Sequence, residues 1–132
     1  MSHFTTVQTK IHDVVTLRQI LKDLGYAFTE AKEGEKLHVR GYQKQTAEAD
    51  LVIHASRIYD IGVRVTPKGV TFIADWWGVE TTRGVDEQQF VRLVTQRYAQ
   101  AKVKKELQKR GYTLAVEETT ADQSIHIKVR KF

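Results

Sequence analysis

Two tryptophans stand side by side between carboxylates in Asp75-Trp76-Trp77-Gly78-Val79-Glu80. An exposed indole offers a flat apolar face for a ligand ring, a base or a partner's side chain. Asp75 and Glu80, with Asp60, are the candidate carboxylates near strand ends. Acid–base work would need two of them to converge. The plainer reading makes one tryptophan a core residue and the other a rim residue holding the following loop.

Two cationic groupings come next. His38 and Arg40 alternate with Leu37 and Val39, and His126, Lys128 and Arg130 alternate with Ile125, Ile127 and Val129. If both segments join one sheet, they give it a His/Arg/Lys face suited to anions or nucleic acid. An antiparallel sheet also commonly turns such a face to solvent with no ligand on it. Lys102, Lys104, Lys105, Lys109 and Arg110 form the densest basic cluster, with Arg97 upstream and only Glu106 interrupting. Such a run binds nucleic acid by displacing phosphate counterions, or simply solubilises a helix face. No aromatic interleaving of the kind found in RNA-recognition sheets accompanies it. A metal site on His38, His126 and His54 lacks any short ligand spacing. No phosphate-binding glycine loop, nucleophile elbow, dinucleotide fingerprint or His-Glu-x-x-His is present. No cofactor is expected.

The elements that must position these residues show an internal repeat. Leu21-Lys22-Asp23-Leu24-Gly25-Tyr26 closes a helical pattern and opens a strand, and Leu107-Gln108-Lys109-Arg110-Gly111-Tyr112 does so again. Each leads through a hairpin-like segment to a matching tetrad, Leu37-His38-Val39-Arg40 and Ile125-His126-Ile127-Lys128. The repeat spans residues 13–41 and 99–131 of one domain, residues 1–132.

Phe4–Lys10 reads as a strand rich in Thr and Val. Asp13 is a helix N-cap ahead of the stripe Val14, Leu17, Ile20, Leu21 and Leu24. Leu51-Val52-Ile53 is short and wholly apolar, which predicts a central strand covered on both faces. Ile61, Val63 and Val65 alternate into the Pro67-Lys68-Gly69 turn, and Val70, Phe72 and Ala74 alternate out of it. Asp86 and Gln89 have capping-box spacing, with Val85 and Phe90 at staple spacing. The later Val103 and Leu107 leave the stripe of Phe90, Val94 and Tyr98, so the helix bends near Gln100 or packs its end elsewhere. The pattern predicts an α+β fold: a largely antiparallel sheet of about eight strands with two helices on one face.

Composition narrows the classes further. Cysteine is absent, which excludes disulfides and thiolate chemistry. No run of apolar residues is long enough to cross a membrane, and the first residues lack the pattern of a secretory signal. The net charge of +5 is modest. It lies mostly in the second half of the chain and favours an anionic partner only weakly.

Met1-Ser2-His3-Phe4-x-Thr6, Tyr59-Asp60-Ile61-Gly62, Ala74-Asp75-Trp76-Trp77-Gly78-Val79-Glu80 and Thr95-Gln96-Arg97-Tyr98-Ala99 together resemble a family of unknown function, domain of unknown function number twelve fifty-seven. That family occurs in cyanobacteria, algal plastid genomes and scattered bacteria. The resemblance implies a protein of the bacterial cytosol or plastid stroma. It carries no established activity and transfers no catalytic residue.

The sequence therefore ranks three readings. The first is an interaction module with a protein partner, anchored on Trp76 or Trp77. The second is a nucleic-acid binder using the basic helix and sheet face, and the third a small-molecule site or enzyme around Asp75 and Trp76. A homodimer could form through an edge strand at Phe4–Lys10 or Ser124–Arg130.

Overall fold

The computed structural model describes the backbone of residues 3–119 and 125–131, and the side chains of residues 3–111. Its elements run β1 (Thr5–Gln8), α1 (Val14–Asp23), β2 (Ala27–Glu30), β3 (Leu37–Arg40), a 3-10 turn (Tyr42–Lys44), β4 (Thr46–Ala49), β5 (Leu51–His54), β6 (Ile61–Thr66), β7 (Gly69–Ala74), α2 (Trp76–Arg83), α3 (Glu87–Lys109), β8 (Tyr112–Thr119) and β9 (Ile125–Lys131). The α+β class and the antiparallel pairing agree with the sequence pattern. The described residues hold nine strands, close to the expected eight, and three α-helices, the short α2 being additional to the two expected.

The central sheet has the order β1-β7-β6-β5-β2, every pair antiparallel. β5 lies inside it with Leu51, Val52 and Ile53 all buried, as a wholly apolar strand requires. β6 and β7 pair through Thr66↔Gly69, so Pro67 and Lys68 alone make the turn.

The sheet has two covered faces. On one, Ile53, Ile61, Val63 and Phe72 pack with Leu17 and Leu21 of α1 and with Phe90 and Val94 of α3. On the other, Val52 and Ile73 pack with Val39 and Ala49 of the β3–β4 ribbon. The ribbon sits so close that a Cβ on Gly62 would meet Val39 Cγ2 at 2.5 Å. The helices thus occupy one face, as expected, and a two-stranded layer closes the other.

Both long helices begin as their sequences dictate. Asp13 caps α1 by accepting from Thr16 N, and Asp86 and Gln89 form a reciprocal capping box on α3. The two repeat copies end their helices alike: Gly25 and Gly111 both take left-handed backbone, with φ of 84° and 82°. They then diverge. β8 pairs with β9 as a hairpin, but β2 pairs with β5 and β3 with β4. The first copy is therefore not a hairpin. A four-residue β2 is drawn into the main sheet, and its partner strand crosses to the opposite layer. His38 and His126 consequently lie in separate two-stranded sheets and share no face.

Candidate functional site

The Asp75-Trp76-Trp77 segment is a helix start and not a strand end. Asp75 caps α2: its Oδ1 accepts from Gly78 N at 3.2 Å, and its Oδ2 accepts from Tyr42 N at 3.3 Å. One buried carboxylate thereby pins the turn after β3 to the N-terminus of α2. Trp76 enters the core, 8% exposed, with its ring 5.8 Å from Phe90. Trp77 is turned outward by the helical twist and is 58% exposed. Its indole meets the Tyr42 ring edge-on at 6.5 Å. Gly78 lies against Tyr59, whose ring would overlap any Cβ at that position. Burial pushes the Tyr59 hydroxyl pKa up, and the negative charge of Asp75 pushes it further. Glu80 is exposed on α2, three residues beyond Trp77.

Beside this pair opens a cleft of about 570 Å³, lined by Arg40, Tyr42, Gln43, Lys44, Ile58 and Tyr59 among others. Ile58 is 60% exposed at its rim. The loop between β3 and β4 is closed by Gly41 N donating to Gln45 O and Gln45 N donating to Tyr42 O. It holds two successive non-glycine residues in left-handed backbone, Gln43 at φ 50° and Lys44 at φ 64°. Each such residue costs about 1–3 kcal/mol, and strain of this kind collects at ligand clamps and active sites.

Asp60 anchors the other side of the cleft from beneath. Its carboxylate accepts from Arg40 N at 2.8 Å, Arg40 Nε at 2.9 Å and Arg40 Nη2 at 2.8 Å. Arg40 Nη1 also donates to Arg57 O at 2.7 Å. Burial pushes the Asp60 carboxyl up, but the hydrogen bonds and charge of Arg40 outweigh it and hold the group below the usual carboxylate range. His54 Nδ1 lies 3.3 Å from Asp60 Oδ1, and His54 Nε2 lies 2.8 Å from Thr29 Oγ1.

The predicted basic face is therefore partly consumed. Arg40 serves Asp60. Lys102 and Lys105 reach Asp13 at 3.3 and 3.6 Å, and Lys105 donates to Thr16 Oγ1 at 2.6 Å. Hydrogen bonds from the Thr16 hydroxyl and amide, then the two lysines, hold the Asp13 carboxyl far below its ordinary value. Arg110 pairs with Glu106 one turn back. Arg97 and Lys104 line a small groove between α1 and α3 with Ile20 and Leu24. Lys109 is exposed at the end of α3. This helix lies over the face of the sheet opposite the β3–β4 ribbon, so no single groove joins it to the aromatic cleft. His38 stands opposite Glu48 in the ribbon. The side chains of His126, Lys128 and Arg130 lie outside the described residues, as does Ser124. Among the described residues no three metal-ligating side chains converge.

Sequence reasoning missed Tyr42, Ile58 and Tyr59, which line the cleft beside Trp77, and the Thr29–His54–Asp60 chain. One signal was available. Asp75 followed by eight residues and Gly84 is an N-cap and C′ pair, and Gly84 does take φ 83°. It would have turned the Trp pair into a helix start.

A family profile described as "Protein of unknown function (DUF1257)" matches residues 20–128. A red-alga protein, the uncharacterized protein ycf35 of Pyropia yezoensis, is 25% identical over 138 aligned residues, covering 100% of this chain and 98% of its own length. The uncharacterized protein ycf35 of the cryptophyte Guillardia theta is 33% identical over 105 residues, covering 75% of this chain and 73% of its own length. No solved structure matches the chain.

Proposed function

The chain belongs to the DUF1257 family of proteins of unknown function, and from its geometry we propose that it is an interaction module that grips a protein partner through Trp77 and the cleft beside it. One observation carries this reading. Tyr42 and Ile58, 38% and 60% exposed, line one cleft, and Trp77, 58% exposed, stands against Tyr42 beside it, whereas the other exposed large apolar residues among those described, Val15, Val65 and Val103, lie on α1, β6 and α3. Exposed aromatic and aliphatic side chains gathered at a rigid cleft are what a protein anchor needs. The two aromatic rings stand at 85° to each other, which disfavours a run of stacked bases. Asp75 spends its carboxylate on two backbone amides, which supports binding over acid–base chemistry there. The partner would be met in the bacterial cytosol or plastid stroma. β1 stands at a sheet edge, and self-association through it is a subsidiary proposal that a monomeric mass at high concentration would remove.

The test is affinity capture from native lysate, with and without nuclease, using wild type and Trp77→Ala. A protein retained after nuclease by wild type and lost by a folded Trp77→Ala supports the reading. Identical capture by both, or loss of all partners on nuclease treatment, refutes it, and the second result would favour nucleic acid.

A further inference from the structure

Three side chains away from the cleft lining form an ordered hydrogen-bonded chain. Thr29 lies on β2 and His54 on β5, with Thr29 opposite Val52 and His54 opposite Ala27. They are diagonal neighbours on one face of the sheet. Exposure falls inward along the chain: Thr29 is exposed, the His54 side chain is 39% exposed and the Asp60 side chain is 2% exposed. We infer that Thr29 is a histidine-activated hydroxyl that takes an acyl group from an activated carboxylic ester, with His54 as its base and Asp60 orienting the imidazole.

The proton positions follow from the partners. An ionised carboxylate only accepts, so His54 Nδ1 carries the proton toward Asp60 Oδ1 at 3.3 Å. Neutral imidazole then presents a lone pair at Nε2, and the Thr29 hydroxyl 2.8 Å away donates to it. A hydroxyl, a base within hydrogen-bond reach and a third group that fixes the base is the arrangement that activates a weak nucleophile. The Arg40 clamp keeps Asp60 ionised and immobile without touching Thr29.

In the step inferred, Thr29 Oγ1 bonds to the acyl carbon as its proton passes to His54 Nε2. The ester C–O bond then breaks as His54 Nε2 returns that proton to the departing oxygen, which leaves as the alcohol or phenol. Water next attacks the acyl-threonine and gives a proton to the same nitrogen. The acyl C–Oγ1 bond breaks as Nε2 passes that proton to Thr29 Oγ1, so the carboxylic acid departs and the Thr29 hydroxyl and neutral His54 are restored. No oxidant or cofactor enters the balance. A merely structural bond, tying edge strand β2 to β5, would use the same atoms and produce no acylation.

The test treats the full chain with p-nitrophenyl acetate, follows nitrophenolate release and maps the acetylated residue by peptide mass. The expected result is a burst with acetyl on Thr29. The rate should fall on the order of 10²-fold in His54→Ala, vanish at that site in Thr29→Ala and survive in Thr29→Ser. Should His54→Ala fail to give a native circular dichroism spectrum, the Thr29→Ala and Thr29→Ser pair at the exposed position decides alone. Acetylation of Thr29 no faster than in urea-unfolded chain, or equally fast in a folded His54→Ala, overturns the inference.

Discussion

Removing the Arg40 side chain should destabilise the fold in a way that depends on pH, and the direction can be worked out from the geometry. Arg40→Ala deletes two charge-assisted bonds to Asp60, from Nε at 2.9 Å and Nη2 at 2.8 Å. It leaves the Arg40 amide and His54 Nδ1 as donors. The Arg40 side chain is 47% exposed, so little packing is lost with it, whereas the Asp60 side chain is 2% exposed and stays buried. Orphaning a buried charge costs about 3–5 kcal/mol, and the two retained donors bring the expected loss at neutral pH to about 3 kcal/mol. In the wild type the Asp60 pKa is below its unfolded value. Its contribution is therefore full above about pH 4 and lost as pH falls through the lower folded value. Without Arg40, burial is no longer outweighed, and the folded pKa of Asp60 rises. Ionised Asp60 then opposes folding, and acid relieves that opposition. The gap between wild type and variant must be widest at neutral pH and narrow as the pH is lowered through about 4. Urea unfolding followed by tryptophan fluorescence at several pH values measures it. Arg40→Lys, which cannot reproduce the fork, should fall between the two. A gap of under about 1 kcal/mol at neutral pH, or one that does not change with pH, would refute this account of the clamp.

The tryptophans should separate cleanly. Trp76→Ala should cost about 3–5 kcal/mol through the cavity it leaves beside Phe90, while Trp77→Ala should stay within about 1 kcal/mol, and equal melting temperatures for the two variants would contradict the assignment. Gly78→Ala should destabilise by about 1–3 kcal/mol or more because the new methyl overlaps the Tyr59 ring; a neutral result in urea unfolding would mean that Tyr59 moves aside freely. Asp86→Ala removes the side-chain half of the capping box on α3, the bond from Gln89 N to Asp86 Oδ1, and leaves the residue 86 amide donating to Gln89 Oε1; it should cost about 1 kcal/mol, with Asp86→Glu recovering only part of it, and an unchanged urea midpoint in the Ala variant would show that the cap contributes nothing.

Strong local signals made much of the fold readable. Asp13 and Asp86 are caps whose side chains satisfy amides three residues ahead, and that requirement is written in a few neighbouring residues. Leu51-Val52-Ile53 could only be interior. The misses came where tertiary packing decides. β4 is Thr-Ala-Glu-Ala, a weak strand sequence held by pairing with β3, and Ala49 is buried against Val39 of that strand. The repeat predicted two hairpins because Gly-Tyr and the closing tetrads recur. Which strand each segment pairs with is set by the length of the intervening loop and by the place left open beside β5, and neither is local information. The basic residues of α3 were visible as charges, but their partners Asp13 and Thr16 are 89 residues away in the chain.

The cleft was illegible for a related reason, which also explains its shape. Neither Tyr42 nor Ile58 is unusual in its own segment, and they come beside Trp77 because two buried carboxylates reach the same loop from different elements. Asp60, at the start of β6, holds Arg40 at the loop's entry, while Asp75, at the start of α2, holds the amide of Tyr42 two residues on. With both ends of the turn fixed, the left-handed backbone at Gln43 and Lys44 is imposed from outside and needs no glycine or asparagine to permit it. Exposed aromatic residues on a freely moving loop would lose entropy on meeting a partner. Here that ordering is already accomplished by folding, through groups that face away from the partner. Two of the carboxylates the sequence offered for acid–base work, Asp60 and Asp75, thus give the apolar surface its rigidity, and Trp77 is left to make the contact.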